Sequence, residues 1–298
     1  MAEQYADQAA GLRRLFARER LRVVTFAAGS PGVGKSLLVA NVAACLAQQG
    51  KTVLVFDENV GRSGRRTVAS CFGAAARHDL SHVVDRQRSM AEVLVPVAPG
   101  IQVLPAAGAV GQLGKLDEAQ RRALLAGLCA LDEPPEVILV DASPDHPLGF
   151  SPLGLAAHDT VIVMAPTPAS ITDAYALIKK VSLGYARRNY RVLVNGVRGV
   201  EEGRAVFGNI ARVTHGRRFA RLEFAGCVPL DEHMQRAATL CQPVGGLYPD
   251  SAAAKACRSL AADLLEWRLP DGEPGGLEQF VQHLLHLSRH IDPVAIYA

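Results

Sequence analysis

Eight consecutive residues, Gly29-Ser30-Pro31-Gly32-Val33-Gly34-Lys35-Ser36, constrain what this chain can fold into more than any others. They satisfy the pattern GxxxxGK[ST] and stand between an apolar run, 21–28, and a helical stretch, 35–49. A strand that feeds a glycine-rich turn and then opens a helix is the setting in which this pattern cradles phosphate. Gly29, Gly32 and Gly34 let backbone N–H groups approach phosphate oxygens with no Cβ in the way, and Val33 and Leu37 complete the backbone of the cradle. Lys35 supplies a point charge for the β- and γ-phosphates, Ser36 a hydroxyl for Mg2+, and the helix N-terminus a favourable partial charge. Val137-Ile138-Leu139-Val140-Asp141 is an apolar strand that ends in a carboxylate, the arrangement that places an Asp near Mg2+ beside such loops. Asp57 ends the strand 52–56 in the same way. Either aspartate could instead cap the element that follows it.

The rest of the chain agrees with a fold that carries such a loop. Short apolar strands at 101–104, 137–140, 160–164, 191–194 and 222–227 alternate with helical stretches near 116–130, 170–183, 201–213, 231–240 and 250–268. That alternation predicts an α/β fold: a doubly wound, mostly parallel sheet with helices on both faces. The 298 residues correspond to one or two domains at ~150 residues each. The expected division is an N-terminal helix in 1–19, one large nucleotide-binding domain over 20–268, and a linker with an amphipathic helix over 269–298. Hydrophobic residues at 49% and charged residues at 20% exclude a disordered chain, and a net charge of +3 excludes one dominated by a basic or acidic tail. The six cysteines form no CxxC pair and are expected to be reduced and structural. No apolar run reaches ~18 residues and Met1–Asp7 lack the apolar core of a signal peptide, so a cytoplasmic location is expected.

The stretch VTFAAGSPGVGKSLLVANVAACLAQQGKTVLVFD resembles the start of the MinD/ParA ATPases. Residues 166–207 and 227–256 resemble, more specifically, the FlhG (FleN)-type flagellar-number regulators of that family. The resemblance covers about residues 5–268 and implies a regulator of flagellar number and placement that binds ATP or ADP with Mg2+. It places Ser36, Asp57 and Asp141 on the metal side, Asn195 against adenine, and the loop 228–232 as a second base-side element. It also gives Asp7-Gln8-Ala9-Ala10-Gly11-Leu12-Arg13 the role of the DQAxxLR helix that stimulates an FlhF-like GTPase. Asp7, Gln8, Ala9, Leu12 and Arg13 would touch that partner, and Gln8 would act catalytically in trans by orienting its attacking water. The bland alternative is a surface helix packed on its own domain. The same resemblance implies a flagellar switch (C-ring) protein or a flagellar transcription activator as a further partner. It also implies a nucleotide-dependent homodimer and reversible residence at the inner face of the cytoplasmic membrane near the cell pole.

Three departures from the family pattern bear on chemistry. The family loop reads GKGGxGK[ST], and its first lysine crosses a dimer interface to the other subunit's phosphates; Ser30 and Pro31 stand there in this chain. The family's second aspartate after strand two positions water for hydrolysis; Asn59 stands there in Asp57-Glu58-Asn59. The family continues its second acidic strand as D-T-[GP]-A-G; this chain reads Asp141-Ala142-Ser143-Pro144-Asp145. The binding elements remain and the hydrolytic and dimer-clamping ones are altered, so slow or absent ATP hydrolysis is expected. Glu58 is a candidate substitute carboxylate, but neighbouring residues at a strand end point to different sides.

Two surface features have competing readings. Arginines 187, 188, 191, 198, 204, 212, 217, 218 and 221 gather in one part of the fold, which suits DNA phosphates, an acidic partner or plain solvation. No aromatic interleaving supports DNA. Leu277, Phe280, Val281, Leu284, Leu285, Leu287 and Ile291 form an apolar helix face for a partner, a membrane surface or the parent domain, with Arg289 the lone Lys/Arg on the polar side. His283, His286 and His290 on the same helix read as a solvated face. The rival functions are an active MinD-like ATPase cycling on membranes and a ParA-like DNA-associated partition factor.

Overall fold

The computed structural model describes residues 21–59, 66–144, 146, 151–268 and 276–290. The segment Asp7–Arg13, expected to be a partner-binding helix, most of the linker and Asp145 lie outside the described residues. The strands are β1 (Arg22–Ala27), β2 (Val53–Asp57), β3 (Val95–Ala98), β4 (Ile101–Pro105), β5 (Val137–Asp141), β6 (Asp159–Met164), β7 (Asn189–Val197) and β8 (Arg221–Pro229). The helices are α1 (Lys35–Gln48), α2 (Leu80–Val84), α3 (Met90–Val93), α4 (Glu118–Cys129), α5 (Pro152–Ala156), α6 (Pro168–Tyr185), α7 (Val200–Arg217), α8 (Glu232–Thr239), α9 (Val244–Leu247), α10 (Ala252–Glu266) and α11 (Leu277–His290).

The strands form one eight-stranded sheet in the order β3-β4-β2-β5-β1-β6-β7-β8. All neighbours are parallel except β3, which pairs antiparallel with β4 at the edge. The central strands are apolar on both faces because helices cover both. Val24, Phe26, Val55 and Leu139 face a core shared with α1 and α10. Val23, Leu54, Phe56, Ile138 and Val140 face the other side. There Ile162, Met164, Val192 and Val194 continue the layer under α6 and α7. The chain leaves β1 for β2, two places away in the sheet, and β5 and β6 flank β1 on either side. Such a reversal of strand order opens a crevice at the carboxyl ends of the strands.

The register sets what lines that crevice. Phe26 lies opposite Asp141, and Asp57 opposite Asp141, so the two aspartates are neighbours at the sheet's upper edge beside the start of the glycine-rich loop.

Of the three alternatives for its apolar face, the C-terminal helix takes the return to the parent domain. Phe280, Val281 and Leu284 are buried in the same core as Phe56, Leu104 and Leu153, and the Phe56 and Phe280 rings are 6.2 Å apart. Helix α11 lies against α4, α5 and the turn at Leu113–Lys115. Over the described residues Leu277–Leu287, the apolar face that suited a membrane surface through 277–291 is therefore covered by its own domain, and Ile291 lies outside the described residues. The physical reason is that the layer of α4 and α5 leaves apolar side chains such as Leu116, Leu124 and Leu153 that only a further helix can cover. No described helix is long and apolar enough to cross a membrane. Cys45, Cys71 and Cys257 are buried, and no cysteine is in a disulfide.

Candidate functional site

The glycine-rich loop is shaped by contacts that exclude side chains. A Cβ at Gly29 would overlap the main chain of Asp173 on α6, so residue 29 has to be glycine for the loop to pass there. Gly32 and Gly34 have φ of +87° and +83°, a conformation that other residues adopt only with strain. A Cβ at Gly34 would also come within 2.5 Å of the Asn195 amide. Helix α1 begins at Lys35 with no side-chain cap and no acid in its first turn, so its N-terminal amides and positive pole remain directed at the crevice. Val33 is buried under the loop, Ser36 and Leu37 are partly exposed on the first turn, and Pro31 and Gly32 are exposed at the tip.

Lys35 is 6% exposed and its ammonium pairs with Asp141, whose carboxylate is fully buried. Asn59 ties the acids together. Its side-chain amide donates to Asp141 Oδ2 at 2.7 Å, to the Asp141 carbonyl at 3.0 Å and to Asp57 Oδ1 at 3.2 Å. Asp57 accepts further bonds from the main-chain N–H groups of Asn59 at 3.0 Å and Val68 at 2.6 Å. Burial raises the Asp57 carboxyl well above the ordinary range, and the Asp141 charge beside it adds to the shift. An amide suits position 59 electrostatically, because it offers N–H groups to two acids that a carboxylate would repel.

Glu58 points away from that cluster, as the alternation at a strand end predicts. Its oxygens accept from the Ser143 N–H at 3.1 Å and from the Ser151 hydroxyl. Burial pushes its carboxyl up to about 7, while these two bonds and the Lys35 charge pull the other way. Both of its oxygens are engaged in this way rather than turned toward the Asn59 amide.

On the far side of the loop, Asn195 Nδ2 donates to the Val33 carbonyl at 2.7 Å, fastening β7 to the phosphate loop. Asp231, in the loop 228–232, caps α8 through His233 N–H at 2.8 Å and holds Ala253 N–H at 2.9 Å. The structure thus brings Gly29, Gly32, Val33, Gly34, Lys35, Ser36, Leu37, Asp57, Asn59, Asp141 and Asn195 to one edge of the sheet. Gln8 and its neighbours lie outside the described residues.

Sequence reasoning did not find the engagement of Val68, Ser143, Ser151 and Asp173 with this edge, and no spacing pattern marks them. Two of the clustered arginines have partners within the fold. Arg187 donates to the Leu155 carbonyl at 3.0 Å and to the Thr160 hydroxyl at 3.0 Å, bracing the corner between α5 and β6. Arg191 pairs with Asp159 and Glu223 and stacks on Trp267 at 4.2 Å. Those two cations are structural and leave fewer for a phosphate surface.

A glycine cradle at a bare helix N-terminus, a buried lysine and two strand-end carboxylates define a nucleotide-binding protein of the P-loop α/β class. Residues 24–244 match the CobQ/CobB/MinD/ParA nucleotide binding domain, and the chain belongs to that family. It is 28% identical over 276 residues to the antiactivator FleN of Pseudomonas aeruginosa, covering 92% of this chain and 97% of that one. It is 27% identical to the flagellum site-determining protein YlxH of Helicobacter pylori over 64% of each chain. Its fold is similar to the MinD cell division protein of Aquifex aeolicus, with a TM-score of 0.64 at 22% identity, over 84% of this chain and 98% of that one.

Proposed function

We propose that this chain is an ATP-binding regulator of flagellar number and placement in which ATP hydrolysis is slow or absent. The observation that carries the hydrolytic part is the amide of Asn59, bonded to both strand-end acids where the family pattern has a water-positioning carboxylate. The flagellar part is supported by similarity to an antiactivator along nearly its whole length and to a flagellum site-determining protein.

The donor set fits Mg2+ and a nucleoside triphosphate. Two buried strand-end acids, Asp57 and Asp141, meet one buried cation, Lys35, and that imbalance suits a divalent ion. Ser36, Asp57 and Asp141 would hold Mg2+, directly or through water, and the ion would neutralise phosphate charge. Lys35 would exchange Asp141 for the β- and γ-phosphates, and the loop amides from Val33 to Leu37 would take the phosphate oxygens. Asn195 would serve the adenine side while bracing the loop. Asn59 can hold a water but takes no proton from it, so attack on the γ-phosphate gains orientation without a base. Ser30 adds no charge across an interface, so a homodimer would be held by other contacts. The segment Asp7–Arg13 would act on an FlhF-like GTPase, Gln8 reaching that partner's water.

The test is to incubate the purified protein with Mg-ATP, desalt it, identify the retained nucleotide and count released phosphate. Retained ATP with little phosphate is the expected result. Phosphate release that disappears in Lys35→Ala would overturn the hydrolytic part. GTP turnover by an FlhF-like enzyme, stimulated by this chain and not by its Gln8→Ala variant, tests the partner part separately.

A further inference from the structure

Glu58 has no task in the binding scheme above, yet it is 2% exposed and hydrogen-bonded through both oxygens. Its two donors stand at the two ends of one segment. Ser143 follows Asp141 by two residues, and Ser151 begins α5. The Ser151 hydroxyl also accepts from the Gly154 N–H at 3.0 Å, capping α5, and the Thr25 hydroxyl of β1 donates to the Gly154 carbonyl at 3.0 Å. The Glu58 N–H in turn donates to the Asp141 carbonyl at 3.2 Å. One side chain therefore fastens the end of β2 to the main chain beyond Asp141 and to the start of α5. A buried carboxylate is an expensive way to fill space, and an apolar side chain would fill it without the desolvation penalty. What only a carboxylate supplies is two acceptors fixed at one geometry.

We propose that Glu58 is a positioning residue of the nucleotide site, acting through Ser143 and Ser151 to hold Asp141 where it meets Lys35, Asn59 and the metal side of a bound nucleotide. This rests on the reading of Asp141 as a Mg2+-side carboxylate. Glu58 touches no nucleotide atom itself. Outer partners of this kind commonly change metal affinity by about tenfold or more when removed.

The experiment titrates the full chain with a fluorescent ATP analogue, once with Mg2+ and once with EDTA, and takes the ratio of the two affinities. Thermal unfolding is followed alongside. In Glu58→Gln the ratio is expected to fall about tenfold while the affinity in EDTA changes little. Ser151→Ala should lower the ratio in the same direction, and Ser151→Thr, which restores a hydroxyl, should recover it. The Glu58→Gln/Ser151→Ala double variant should fall no further than Glu58→Gln alone. An unchanged ratio, or equal weakening with and without Mg2+, overturns the proposal, because a purely structural residue acts on both affinities alike. If Glu58→Gln does not accumulate as folded protein, the Ser151→Ala and Ser151→Thr pair decides by the same ratio. Asp141→Asn separates the two layers. If it removes the Mg2+ dependence and the clasp variants leave the ratio unchanged, the clasp fails alone. If it leaves the Mg2+ dependence intact, the reading of Asp141 fails and takes the clasp with it.

Discussion

The two halves of the nucleotide site are built from different materials. The phosphate half is backbone: glycines with φ of +83° and +87°, an uncapped helix start and one lysine. The acid half is side chain: Asp57, Asn59 and Asp141, joined by amide-to-carboxylate bonds of 2.7–3.2 Å. Backbone geometry leaves little freedom, since a Cβ at Gly29 meets main chain. Side-chain geometry can be retuned one residue at a time, and here an amide takes a place that the family pattern gives to an acid. The contrast is what would let a chain keep binding while hydrolysis slows, as proposed above.

The contrast is broken most strongly at Lys35, which belongs to the phosphate loop and pairs with Asp141. Lys35→Ala removes the phosphate charge and leaves Asp141 buried without its cation, and breaking a buried pair in this way costs about 3–5 kcal/mol. Urea denaturation should show that loss, and nucleotide retained after desalting should fall below detection. A variant that keeps wild-type stability would mean that the Lys35–Asp141 pair is no net support to the fold.

Gly29→Ala attacks the phosphate half alone. Its Cβ has to displace the main chain at Asp173, an overpacking strain of about 3 kcal/mol. The retained nucleotide should drop while the bonds of Asn59 to Asp57 and Asp141 persist. Equal binding by wild type and variant, measured by equilibrium titration, would show that the loop has room that its packing against α6 denies.

The phosphate half was legible in the sequence almost residue by residue, because a strand, a GxxxxGK[ST] turn and a helix start are local and their order is fixed. The parallel core was legible too, since β1, β2 and β5 are apolar on both faces. The edge strand β3 was not, because Val95–Ala98 alternates only weakly and is defined by its antiparallel partner. Nor was the fate of α11, since an apolar helix face reads the same whether lipid or protein covers it. The acid half was legible in its residues but not in its bonds. Asn59 reads as a lost carboxylate in the sequence and as a bridge between two acids in the structure, and Glu58 reads as a spare acid but serves as a clasp. Both depend on the register that sets Asp57 beside Asp141, which lies 84 positions along the chain.

The smallest effect is expected at Asn59, and it bears on the comparison most directly. Asn59→Asp replaces amide donors with a third carboxylate beside Asp57 and Asp141. Losing a hydrogen bond to a charged partner costs about 2 kcal/mol, and like-charge repulsion adds to it. That destabilisation should be fullest in EDTA and should shrink with Mg-ATP, whose cation would relieve the repulsion among the acids. The same variant regains a carboxylate that can position and polarise water, so phosphate release should rise above wild type. A lower midpoint in EDTA with no gain in turnover would separate the two roles of the position: the bridge would be real, and the limit on hydrolysis would lie in Ser30 or in the altered residues after Asp141.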